Sequence, residues 1–155
     1  MTDTSLTIET ILTPELSLSR VVGTSKKRIL EFIAEQVAKN YPELNETQIF
    51  NNLVSRERLG STGIGQGIAI PHCRLEGCTR VVGTLVTLEE GVAFDAIDNQ
   101  PVDLLFALIV PKEATSEHLE LLSQLAEKFN DRQFCEQLRQ CPDNDSLYRR
   151  MIGQA

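Results

Sequence analysis

Residues 59 to 75 read Leu-Gly-Ser-Thr-Gly-Ile-Gly-Gln-Gly-Ile-Ala-Ile-Pro-His-Cys-Arg-Leu, a glycine-rich segment running into a short apolar strand that ends on Pro71-His72. Gly60, Gly63, Gly65 and Gly67 free the backbone to turn its N–H groups toward one point, an arrangement that suits an anion. Pro71 has no N–H and biases Ile70 toward extended backbone. Ile68-Ala69-Ile70-Pro71 is therefore expected to remain a strand up to the imidazole of His72. An imidazole delivered beside an anion-binding loop can accept a phosphoryl group. The same residues also fit a core histidine that caps a strand beside an ordinary loop, because glycine-rich loops are weakly specific.

Working outward, the chain shows no repeat, no low-complexity segment and no long linker, so a single domain over residues 8–152 is expected, with 1–7 as a short tail. After an N-terminal element around Ile8 to Leu12, Arg20 to Val22 reads as a strand. Thr24 or Ser25 can cap a helix whose Ile29, Leu30, Ile33 and Val37 form one apolar face, with Pro42 just past its end. Asn45 can cap a second helix carrying Ile49, Phe50, Leu53 and Val54, which stops before the glycines. Beyond His72, strands are expected over Val81 to Thr87, Val92 to Phe94 and Val102 to Val110, the last being the central-strand candidate. Thr115 or Ser116 can cap a helix with Leu119, Leu122, Leu125 and Ala126 on one face and His118 in its first turn. Helices near Asp131 to Gln140 and Asp143 to Met151 follow, separated by Pro142. The sum is an α/β fold, a mixed β-sheet covered by helices on both faces.

Composition closes off several classes. At 155 residues with 41% hydrophobic content, the chain can bury a real core. No stretch approaches the roughly 18 uninterrupted apolar residues of a membrane span, and Met1 to Ser5 lack the basic and apolar regions of an export signal, so the cytoplasm is expected. A formal charge of −7 and a pI near 4.9 argue against nucleic acid, which is gripped by clustered Lys and Arg. The run Lys26-Lys27-Arg28 reads as the solvated first turn of a helix. Cys73, Cys78, Cys135 and Cys141 show no paired C-x-x-C spacing and read as free thiols; His72, Cys73, Cys78 and His118 match no zinc spacing, so no metal and no cofactor are expected.

The segment Arg56-Glu57-Arg58-Leu59-Gly60-Ser61-Thr62-Gly63-Ile64-Gly65-Gln66-Gly67-Ile68-Ala69-Ile70-Pro71-His72 resembles the active-site segment of the fructose/mannitol-type IIA (EIIA type-2) domains of the bacterial phosphoenolpyruvate phosphotransferase system. A second block, Phe94-Asp95-Ala96-Ile97-Asp98-Asn99-Gln100-Pro101-Val102-Asp103-Leu104-Leu105-Phe106-Ala107-Leu108, is similar to the nitrogen-regulatory branch of that family. The resemblance runs from about Ile8 to Ile152.

It implies the fructose/mannitol-type IIA fold and a carrier in which His72 takes a phosphoryl group from an HPr-like protein, NPr. Arg56 matches the family's active-site arginine, suited to paired contacts with phosphate oxygens, although by itself it reads as a surface arginine at a helix end. His118 matches the second active-site histidine. Ser61 and Thr62, with the amides of Gly63, Gly65 and Gly67, are expected to bind phosphate. The implied output is regulation of targets such as potassium-transport or sensor-kinase systems according to phosphorylation state. The alternative is a stand-alone sugar-transport component that passes the group to a separate IIB protein. Either way it is a phosphotransferase-system component rather than a synthetic enzyme, and an acidic surface implies a donor with a basic face. One departure stands out: the family commonly has glycine after the phosphorylated histidine, where this chain has Cys73. A side chain there raises the question of a positive φ, and a thiol beside His72 raises the question of redox sensitivity.

Overall fold

The computed structural model describes residues 7–114 and 117–153 of the chain, the side chain of residue 117 excepted. Its organising element is β6 (Val102–Pro111) in a six-stranded mixed sheet. Alternation along this strand supplies two cores at once. Leu105, Ala107 and Ile109 enter one, Leu104, Phe106, Leu108 and Val110 the other, and all are buried. A strand that is apolar on both faces can sit only where both faces are covered.

β5 (Val82–Val92) lies antiparallel to β6, with Val82 opposite Ile109 and Leu85 opposite Phe106. β1 (Ser17–Val21) runs parallel to β5. On the other flank β3 (Ile68–Ala69) and β4 (His72–Leu75) both run parallel to β6 and keep one register, Ile68 opposite Leu104 and His72 opposite Leu108. They are one lane interrupted at Ile70-Pro71. β2 (Gly63–Gly65) pairs antiparallel with β3 alone, so beyond the interruption β4 is left as the sheet edge.

α2 (Lys26–Asn40) and α3 (Glu46–Leu59) pack on the Leu105/Ile109 face. α1 (Ile8–Ile11), α4 (Glu117–Phe129), α5 (Arg132–Gln140) and α6 (Asn144–Met151) pack on the Phe106/Leu108 face. Ser25, Asn45, Asp131 and Asp143 cap their helices by accepting from Arg28, Gln48, Phe134 and Ser146 N–H respectively. Each such cap is typically worth about 1 kcal/mol.

The α/β layering, the central strand and the caps Ser25 and Asn45 agree with the sequence reading, while Asp131 and Asp143, read there as the first residues of their helices, prove to be caps. Several boundaries differ. β1 starts at Ser17, where Leu16 has already entered the core. β5 is continuous through residues 88–92, so Val92 closes a long strand and Phe94 lies beyond it. The strand expected to finish at Pro71 instead resumes at His72, because only two residues fall out of the ladder. The cap expected from Thr115 or Ser116 lies outside the described residues. Lys26 is not a solvated first-turn lysine: it is 20% exposed, and its Nζ stands 2.9 Å from Glu57 Oε1.

Candidate functional site

The gap in the ladder builds the site. Pro71 offers no N–H, its own carbonyl accepts Leu108 N–H at 2.9 Å, and the Ile70 carbonyl is turned toward the following imidazole. His72 Nδ1 lies 2.8 Å from Ile70 O. A carbonyl only accepts, so Nδ1 carries the ring proton and Nε2 keeps its lone pair.

Strand alternation puts His72 and Arg74 on the side of Leu108 and Val110, where α4 packs, and Cys73 and Leu75 against α3. α4 presents His118 from its first turn; α3 presents Arg56 from its last. Both line, with His72, an open cleft of about 730 Å³, together with Arg74, Lys112 and Glu76. Arg56 Nη1 donates to Gly60 O at 2.8 Å, satisfying a carbonyl at the helix end and fixing the guanidinium there. Arg74 Nη1 donates to Lys112 O at 3.0 Å and Ala114 O at 2.6 Å, tying β4 to the turn that precedes α4. Asn52 closes the exposed edge of β4 by donating to Arg74 O at 2.9 Å. His118 Nδ1 is buried and has no hydrogen-bond partner among the described residues.

The cleft is locally cationic on an acidic protein: Arg56, Arg74 and Lys112 line it against Glu76 alone among its acids, so it suits an anion. Burial is the main cause that holds the His72 pKa below its usual 6.5, and Arg56 and His118 add to it, while the Ile70 carbonyl and Glu57 oppose it. Neutral imidazole, the nucleophilic form, therefore prevails at pH 7. An NMR titration is expected to place the His72 midpoint below 6.5. The unfolded chain then binds this proton more readily, so His72 contributes stability that is complete above pH 6.5 and is lost as pH falls through the lower folded value.

The structure brings Arg56, His72 and His118 to one cleft, and places the other expected phosphate contacts elsewhere. Gly63, Gly65 and Gly67 belong to a β-hairpin whose turn, Gln66-Gly67, has φ of +59° and +81°, as a tight hairpin turn requires. Gln66 N–H is taken by Asp98 Oδ2 at 2.8 Å, and a Cβ at Gly67 would meet Arg139 Nη2 at 2.9 Å. Gly63 N–H donates to Ser61 Oγ, which itself donates to Phe94 O. Thr62 gives both its N–H and its hydroxyl to the Glu57 carboxylate. None of these five residues lines the His72 cleft.

Glu57 and Lys26 were missed by sequence reasoning, yet a signal was present. Ile49 and Leu53 define the buried stripe of α3, and the next position on it is 57. An acid on an apolar stripe requires a buried partner.

Cys73 resolves plainly. It is an ordinary β4 residue outside the positive-φ positions, 7% exposed, and burial pushes its thiol up to about 12. Redox sensitivity needs an exposed thiolate, which this environment denies. The native protein is expected to resist iodoacetamide at Cys73 at pH 8, with labelling, read by peptide mass, appearing on unfolding.

Comparison with known proteins gives the family and the fold. The family model described as "Phosphoenolpyruvate-dependent sugar phosphotransferase system, EIIA 2" matches residues 10–153. A nitrogen regulatory protein of Pseudomonas aeruginosa is 52% identical over 145 residues, covering 94% of this chain and 94% of that protein. Its counterpart in Escherichia coli K12 is 49% identical over 148 residues, covering 95% and 90%. The crystal structure of nitrogen regulatory protein IIA-Ntr from Neisseria meningitidis superposes with a TM-score of 0.86 at 39% identity, covering 94% of this chain and 97% of that one. The IIA mannitol structure from Escherichia coli, 19% identical with a TM-score of 0.73 over 87% of this chain and 95% of that one, shares the fold.

Proposed function

The chain belongs to the EIIA type-2 family of the phosphoenolpyruvate-dependent sugar phosphotransferase system, and we propose that it is a cytoplasmic phosphoryl carrier of the nitrogen-regulatory branch, a single domain over residues 8–152 that is phosphorylated on His72 by an HPr-like protein, NPr. The observation that carries this reading is the 2.8 Å contact between His72 Nδ1 and Ile70 O. With Nδ1–H held by Ile70 O, Nε2 is a preset acceptor on a residue that lines an open, cationic cleft.

In the transfer a bond forms between Nε2 and phosphorus as the donor's N–P bond breaks; the donor ring, protonated on its other nitrogen, leaves as neutral imidazole, and the His72 ring, keeping its Nδ1 proton against Ile70 O, takes up the positive charge. Little covalent chemistry is asked of the protein, so positioning and charge stabilisation do the rest. Arg56 meets the phosphoryl oxygens with its remaining N–H donors, and His118 approaches from the opposite helix. The hairpin residues Ser61, Thr62, Gly63, Gly65 and Gly67 support the phosphate indirectly, by holding the lane that presents His72.

The added group brings about −1.5 to −2 charges to the cleft. A target fitted to the cationic, unmodified cleft is then repelled or exchanged, which is how phosphorylation state reaches targets such as potassium-transport or sensor-kinase systems. No described helix is long and apolar enough to cross a membrane, in keeping with a carrier that meets its partners in solution.

The test is incubation with phosphoenolpyruvate, the first phosphotransferase enzyme and NPr, followed by intact mass. One acid-labile phosphate is expected. No uptake from NPr or from HPr overturns the reading, and rapid onward transfer to a sugar IIB protein would reassign the chain to sugar transport.

A further inference from the structure

Glu57 carries a carboxylate that is 5% exposed, and its hydrogen-bond and ion-pair partners are Thr62 and Lys26 rather than His72. Its partners lead there nonetheless. Lys26 Nζ lies 2.9 Å from Oε1, and Lys26 also donates to Phe94 O at 3.2 Å. Thr62 N–H stands 3.2 Å from Oε2, and the Thr62 hydroxyl donates to the same oxygen.

From Thr62 the contacts continue through backbone: Ile70 N–H donates to Thr62 O at 3.0 Å, and Ile70 O accepts His72 Nδ1–H at 2.8 Å. Every donor in this sequence points toward Glu57. The links cross the Cα atoms of Thr62 and Ile70, so what passes along them is position: a fixed Thr62 fixes the Ile70 carbonyl that accepts Nδ1–H, while the Glu57 charge acts on the ring through space.

We propose that Glu57 is a positioning residue for His72: with Lys26 as counterion it fixes Thr62, through Thr62 it fixes Ile70, and so it holds the imidazole in the tautomer that frees Nε2. The role explains why an acid occupies the buried stripe of α3 directly beside Arg56. It rests on the reading of His72 as acceptor, but its first readout needs no phosphoryl donor.

The groups that act on His72 are Arg56 from α3 and His118 from α4, which lower its pKa, and Glu57, which raises it; Arg74, Glu76 and Lys112 share the cleft. Glu57→Gln keeps the side-chain shape and an oxygen for Thr62 while removing the charge. Its His72 midpoint, followed by ¹H–¹⁵N NMR, is expected to fall below that of the native protein, with the Nε2–H tautomer appearing. General loosening would instead expose the ring and raise the midpoint toward 6.5. Phosphoryl transfer is expected to slow about tenfold in kcat with KM for the donor unchanged, since the donor-facing surface is untouched. Thr62→Val should shift the midpoint and tautomer in the same direction, and Thr62→Ser should restore native behaviour.

A Glu57→Gln protein with the native midpoint and tautomer, or with the midpoint moved up, overturns the proposal. The two readings separate cleanly. If the native protein takes up phosphate and Glu57→Gln matches it in every readout, only the positioning role falls. If the native protein takes up none while the midpoint still drops, the carrier reading falls and the positioning role stands.

Discussion

His72→Ala is expected to take up no phosphate under conditions in which the native protein gains one, and to remain folded. The loss is complete because the substitution removes the nitrogen that the Ile70 carbonyl presets as acceptor. The fold should survive because His72 is half-buried at the first position of β4, where its backbone pairing with β6 does not depend on the ring. A stability change within about 1 kcal/mol is expected by urea denaturation. Arg56→Met separates acceptance from stabilisation: the acceptor stays, and the rate should fall by about 10² to 10³, the usual cost of losing one preorganised donor at a site of developing charge. A phosphate found on His72→Ala would move the acceptor to His118, the other histidine of this chain, and would overturn the assignment of roles within the cleft.

The elements that bring Arg56, His72 and His118 together are partly legible in the sequence. Patterns with a strict period carried through: the buried stripes of α2 and α3, the uninterrupted apolar run of β6 and the capping residues Ser25 and Asn45 all lie where spacing puts them, since each depends on neighbours a few positions away. What escaped depends on contacts distant in sequence. Pro71 reads locally as the end of a strand, but β6 continues past it and offers a partner to residues 72–75, so pairing resumes and His72 becomes the start of β4. The glycines read as a free anion loop, but their neighbours are claimed by Glu57, Phe94 and Asp98. The second motif block thus works as a buttress for the first. Of the sequence-derived site residues, Arg56, His72 and His118 meet in space because three separate elements converge on the open edge of β4, which no local pattern encodes.

That buttress gives the largest stability effect expected here. Phe94 has no exposed surface although it lies beyond the end of β5. Its ring fills the core under α2, and Lys26 Nζ sits 4.8 Å from the ring centroid. Its carbonyl accepts both Lys26 Nζ and Ser61 Oγ, the latter at 2.7 Å. Phe94→Ala leaves a cavity that a strand-tethered loop cannot collapse into, and should cost about 3–5 kcal/mol, with about 0.5–1 kcal/mol more for the lost ring beneath the ammonium. Phe94→Leu refills most of the volume and should recover more than half of the loss, whereas Ile97→Ala in the same block, at a side chain 87% exposed, should change stability by less than about 0.5 kcal/mol. Urea midpoints with unchanged slopes would read all three. A loss below 1 kcal/mol for Phe94→Ala would mean that the block from Phe94 to Asp98 only lies against the glycine hairpin. The expected loss would mean that it anchors the hairpin, and the same variant should then transfer phosphoryl more slowly, because Lys26 and Ser61 would lose their fixed acceptor and the lane carrying His72 its lateral support.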